Sequence, residues 1–287
     1  MPQCVASRLD LLRSWQNADG GWGYFPGHTS WLEPTAYALL ALAHDPESEC
    51  CARGWRLLRS WQLPDGAWRA CAAVGEPHWA TSLVVTLHAW AGVSDERFRR
   101  GVRWLAGSTG TETRPLSRLA HWVRPGLVEY DPALSGWPWR TGSSAWVEPT
   151  AHALMALRGA ARHGNDGALA GRIGTGERML LERRCRDGGW NYGNRRVLGA
   201  DLPSFPETTA MALMALDGHP SVDWPRALAQ VEASYRQTRS TLGRAWLGAC
   251  LALYGVRTQT TGEAAEPDAP DVVVRAVEAI PWERLAH

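Results

Sequence analysis

Two kinds of apolar segment alternate along the chain. One carries apolar residues at helical spacing with polar residues between them, as in Leu9, Leu12 and Trp15 and again in Val102, Trp104 and Leu105, and predicts amphipathic helices. The other is Ala- and Leu-rich and apolar nearly all round: Ala36 to Ala43, Ser82 to Trp90, Ala151 to Leu157, Ala210 to Leu216. A helix apolar on every side is buried on every side, so the second kind predicts an inner layer and the first an outer one. Turn chemistry separates them at Asn17 to Gly21, Pro64 to Gly66 and Arg186 to Gly189.

The unit recurs. LLRSWQNADGGW leads into SWLEPTAYALLALA, LLRSWQLPDGAW into PHWATSLVVTLHAW, SGWPW into AWVEPTAHALMAL, and RRCRDGGWNYG into SFPETTAMALMAL. A spacing of roughly 45–60 residues signals a solenoid or a closed ring of similar hairpins. A fifth unit, Ala227 to Tyr254, lacks the Gly-x-Trp turn, and a Pro-containing stretch from Thr109 to Arg140, read as a helix and a long loop, interrupts the series. The predicted fold is all-α, an (α/α) barrel of about five to six hairpins occupying residues 1–257. An acidic Ala/Pro-rich linker, 258–270, and a short amphipathic helix within 271–287 follow; that helix is expected to dock on the ring or on a protein partner.

Composition narrows the function. Net charge is +1 and the 30 basic side chains are all Arg, scattered along the chain, so neither a nucleic-acid partner nor a polyanion ligand is expected. Without lysine there is no Schiff-base chemistry and no P-loop lysine. The 6 cysteines show no zinc spacing. No signal peptide or membrane-spanning run stands out, which predicts a cytoplasmic protein with reduced thiols and leaves room for surface contact with a membrane.

Gln16-x-x-x-Gly20-x-Trp22 and Gln62-x-x-x-Gly66-x-Trp68, with a degraded copy at Gly188-Gly189-Trp190, resemble the Gln/Trp repeat of squalene-hopene cyclases and related class II terpene cyclases. Together with the Ala-rich inner helices the resemblance spans about residues 5–255. It implies a toroid in which the Gln/Trp motifs are structural staples, an isoprenoid substrate in the central cavity, and no cofactor. Protein prenyltransferase β subunits share the toroid and bind zinc through an Asp-x-Cys pair that this chain lacks, so no metal is expected.

Those cyclases carry D-x-D-D-T-A at an inner-helix mouth, the middle acid protonating the substrate. Aligned on the Thr-Ala ending, WLEPTA, WVEPTA and FPETTA put Glu33, Glu148 and Glu207 in the donor position, with the flanking acids replaced. These three are the candidate catalytic residues, Glu33 first because it opens the first repeat. The same acids suit the first turn of a helix, where the dipole favours negative charge, so a purely structural role stays open. Trp79 stands where the second repeat would carry its acid. Trp31, Trp79, Trp146, Trp190, Tyr192 and Phe205 are candidate substrate contacts through their aromatic faces, with core packing as the alternative. His152, one turn beyond Glu148, and Asp201 complete the set as a proton relay. Three functions compete: proton-initiated cyclisation or isomerisation, isoprenoid or lipid binding without turnover, and a prenyltransferase-like subunit needing a partner.

Overall fold

The computed structural model describes residues 3–115, 119, 123, 130–256 and 271–285. The linker and much of the interrupting stretch fall outside the described residues. The helices are α1 (Gln3–Ser14), α2 (Leu32–Ala41), α3 (Glu49–Trp61), α4 (Thr81–Trp90), α5 (Glu96–Gly107) and α6 (Val147–Ala160). They continue with α7 (Asp166–Glu182), α8 (Pro206–Ala215), α9 (Trp224–Gln237), α10 (Thr241–Leu253) and α11 (Val272–Ala279).

The apolar helices form the inner layer. All but one residue of α2 and every residue of α4 from Thr81 to His88 are buried, and α6, α8 and α10 follow suit. By contrast α3 buries only Cys51, Gly54, Leu58 and Trp61, and α5 only Phe98, Gly101, Val102 and Leu105, the single stripe of an outer helix. Around the ring α2 packs on α4, α4 on α6, α6 on α8 and α8 on α10. The sixth position belongs to α11, which packs on both α10 and α2 and closes the circle. The amphipathic helix expected to dock on the ring or on a partner is therefore one of its staves. Val272, Val273, Val274, Ala276 and Val277 are buried there, which spends the apolar face a partner would need.

The Trp turns join the layers. In four repeats the backbone N–H of Trp22, Trp68, Trp137 and Trp190 donates to the hydroxyl of Thr35, Thr81, Thr150 and Thr209 at 2.9 Å. The indole N–H of each reaches back to a carbonyl in the last turn of an outer helix: Leu12, Leu58, Leu105 and Leu180, at 2.6–2.8 Å. Each tryptophan thus bridges an outer helix, through its indole, to the next inner one, through its backbone, and Trp22, Trp68 and Trp190 are 0% exposed. Gln16 and Gln62 tie the turn carbonyls of Gly20 and Gly66 to the next outer helix through Cys50 O and Arg97 O. Gly20 and Gly66 have φ of +93° and +100°, and a Cβ at either would strike the carbonyl of Arg53 or Arg100. In the fourth repeat Arg184 takes the Gln place and donates to Gly188 O at 2.8 Å.

Two short hairpins decorate the ring. β1 (Trp137–Pro138) pairs with β2 (Ala145–Trp146), and β3 (Arg196–Val197) with β4 (Ala200–Asp201), both antiparallel. No described helix is long and apolar enough to cross a membrane.

Candidate functional site

From α1 to α10 outer and inner helices alternate along the chain, so these inner helices run parallel and their N-termini gather at one mouth, where the Val272 N–H of α11 also meets Tyr24 O. Glu33, Glu148 and Glu207 sit in the first turns of α2, α6 and α8. The four Thr–Trp bonds fix the register: two residues before each staple threonine stand Glu33, Trp79, Glu148 and Glu207. The sequence alignment of the acids thus corresponds to one structural position in each repeat.

The carboxylates of Glu33 and Glu207 accept from phenols. The phenol of Tyr24 donates to Glu33 Oε2 at 2.6 Å, and that of Tyr192 to Glu207 Oε1 at 2.5 Å. Tyr24 and Tyr192 each lie two residues after their staple tryptophan, as in GGWGY and GGWNY. Sequence reasoning missed Tyr24, although this repeated Gly-x-Trp-x-Tyr spacing marked it. In the third repeat the same position is Trp139, which packs edge-on against Trp79 at 4.8 Å. Glu148 consequently lacks the phenol that the other two acids enjoy.

Burial and mutual repulsion set the acidity. Glu148 is pushed up to about 8, first by burial and then by the charges of Glu33 and Glu207. Glu33 is pushed up to about 7 by burial and by Asp271, against the opposing pull of the Tyr24 hydrogen bond. Both side chains are nonetheless partly accessible. Asp271 belongs to this mouth as well. It caps α11 by accepting from Val273 N and Val274 N, while Val272 N donates to Tyr24 O at 2.9 Å. The ring-closing helix thereby braces the tyrosine that holds Glu33.

Below the acids the ring is filled. Tyr37, His152, Trp246 and Trp282 are 1%, 2%, 1% and 4% exposed. His152 Nε2 lies 3.0 Å from the Tyr37 hydroxyl, and its ring meets Trp79 and Trp246 at 5.5 Å. Burial lowers His152 to about 3, so it is a neutral member of an aromatic plug. One turn beneath Glu148 the ring interior is thus occupied by packed aromatic side chains.

The other predicted contacts divide. Trp146 and Phe205 are 38% and 42% exposed at the rim, and Trp31 is half-buried with its ring 6.1 Å from that of Tyr24. Tyr192 stands beside Phe205 at 5.4 Å. Trp79 is buried against Trp139 and His152, at the inner wall of the recess. Trp190 is not a substrate contact: it is wholly buried, its N–H bound to Leu180 O, because it is the staple of its repeat. Asp201 does not relay protons with His152. It lies on the exposed β3–β4 hairpin and pairs with Arg186 and Arg196, whereas His152 pairs with Tyr37. Among the described residues no group of three His, Cys, Asp or Glu could hold a metal ion.

No protein-family model and no curated protein matches the sequence. Solved structures do resemble it. The type II terpene cyclase MstE from Scytonema is similar with a TM-score of 0.57 and 21% identity, over 98% of this chain and 78% of that one. An alpha-amylase from Clostridium perfringens is similar with a TM-score of 0.65 and 7% identity, over 98% and 97%. A family 8 glycosyl hydrolase endoglucanase from Klebsiella pneumoniae is similar with a TM-score of 0.58 and 12% identity, over 98% and 100%. At such identities the likeness establishes the architecture, and the chain has the α/α-toroid fold that these terpene cyclase and glycoside hydrolase structures share.

Proposed function

We propose that the chain is an acid catalyst acting on a hydrophobic, isoprenoid-like substrate held in the mouth of the toroid, with Glu148 as the proton donor. The observation that carries this reading is the acidity of Glu148: a carboxyl near 8 keeps its proton at neutral pH and sits between two further carboxyls. Glu33, first in the sequence reading, stands second, since the phenol of Tyr24 favours its charged form. In the reaction the alkene π electrons take the Glu148 proton to form a C–H bond, leaving a carboxylate and a substrate carbocation. The faces of Trp31, Trp146 and Phe205 attract such a cation. Support for the substrate class comes from the Gln/Trp repeats and from MstE, whose structure was solved with geranylgeranyl dihydroxybenzoate as substrate, again as a similar fold (TM-score 0.56).

One observation favours a second reading, glycoside cleavage: the amylase and endoglucanase match this ring almost end to end. There the same acid would protonate a glycosidic oxygen and the exposed aromatic rim would stack on sugar rings. Single Glu33→Gln, Glu148→Gln and Glu207→Gln variants assayed on isoprenoid and oligosaccharide panels separate the two. Isoprenoid turnover lost in Glu148→Gln supports the first reading and oligosaccharide cleavage the second. A parent protein that binds but converts neither is a non-catalytic lipid-binding toroid.

A further inference from the structure

The arginines looked scattered in the sequence, but the fold gathers four of them. Arg184, Arg186, Arg195 and Arg196 line, with Asp201, a recess of about 330 Å³ between the fourth Trp turn and the β3–β4 hairpin. Several are held in place. Arg184 is fixed by its Nε bond to Gly188 O and lies 5.4 Å from the ring of Trp190. Asp201 holds Arg186 at 3.3 Å through one oxygen and Arg196 at 3.7 Å through the other. Arg196 also grips Gly199 O through both Nε and an amino group, at 3.1 and 3.0 Å. Arg195 reaches only to 3.9 Å from Glu182. Asp201 and Glu182 lie within ion-pair range of Arg186, Arg196 and Arg195, and the nearby Asp187 accepts from Gly189 N and Ser204 N.

The tip of the hairpin is apolar. Leu198 at its tip is 73% exposed and adopts φ 51°, a strained left-handed backbone for a branched residue. Leu202 and Phe205 continue the exposed apolar surface towards Tyr192 and the acid mouth. Guanidiniums match the paired oxygens of phosphates, and an apolar border suits the body that carries the phosphate.

We propose that this recess binds a phosphate or diphosphate group borne on an apolar molecule. The site is separate from the three glutamates and stands whether or not Glu148 donates a proton.

The test uses the full chain and two probes at constant ionic strength: inorganic diphosphate by calorimetric titration, and flotation with phosphatidylcholine vesicles with and without phosphatidic acid. Arg186→Ala/Arg195→Ala changes two exposed side chains and should leave the Tm of the free protein unchanged. Diphosphate binding weakened at least roughly tenfold in that variant, and less in Arg186→Lys/Arg195→Lys, supports a soluble phosphorylated ligand. Flotation that requires phosphatidic acid and is lost in the Ala variant supports a lipid headgroup as the source. A parent that binds neither probe, or binding that survives the Ala variant, overturns the proposal.

Discussion

The phenol of Tyr24 lies 2.6 Å from Glu33 Oε2, and the same pair recurs as Tyr192 and Glu207 but not at Glu148. The repeat that lost the phenol has Trp139 in its place, turned towards Trp79, the residue that replaced the acid of the second repeat. Two substitutions in neighbouring repeats thus fill each other's space and leave one acid without its donor. Removing the phenol from Glu33 should make it resemble Glu148: in Tyr24→Phe the Glu33 carboxyl should titrate above about 7, because the one contribution that lowers it is gone. Carbon-13 NMR of labelled glutamate measures this directly.

The raised acidities carry a stability signature. Folded Glu33 and Glu148 hold protons that an unfolded glutamate releases near 4.5, so the folded state binds more protons between that value and about 7 and 8 respectively. Stability from these groups is complete below about pH 4.5 and is lost as the pH rises through about 8. Glu148→Gln should flatten that decline and stabilise the protein by roughly 1–3 kcal/mol at about pH 9 relative to the parent, measured by denaturant unfolding across pH. Turnover should fall over the same range as Glu148 gives up its proton.

The staples should behave as architecture. Trp22→Ala or Trp68→Ala removes a wholly buried indole with its hydrogen bond to the outer helix and should cost roughly 3–5 kcal/mol in chemical denaturation. Trp146→Ala, at the exposed rim, should cost under about 1 kcal/mol and act instead on substrate affinity.

Ring closure can be tested at its last buried residue. Trp282 donates to Val277 O and packs on Trp246 and Trp90, so Trp282→Ala should loosen α11. The expected loss is again roughly 3–5 kcal/mol. Hydrogen exchange should rise first at the amide of Val272, whose bond to Tyr24 O joins α11 to the mouth.

Hydrophobic pattern made the two layers legible, because Ala-rich helices apolar on all faces have nowhere to go but inside. The Thr-Ala register likewise revealed that Glu33, Glu148 and Glu207 are equivalent positions. The pattern did not reveal that α11 is a stave: its apolar face reads the same whether it meets the ring, a partner or two neighbouring inner helices. Nor did it separate Trp190 from Trp146, since an indole used as a staple and one left at the rim differ only in what surrounds them. The Tyr–Glu pairs were within reach, as the repeated spacing shows, but the distances in sequence from Tyr24 to Glu33 and from Tyr192 to Glu207 differ, and only the fold brings both to the same geometry.

The most direct measurement is isoprenoid turnover in deuterium oxide with mass spectrometry and NMR of the product. Glu148 exchanges its proton with solvent, so the product should acquire one carbon-bound deuterium, and both turnover and label should disappear in Glu148→Gln while the fold is retained. Product formed without carbon-bound deuterium, or a Glu148→Gln variant that still makes the labelled product, would contradict the assignment of Glu148 as the proton donor.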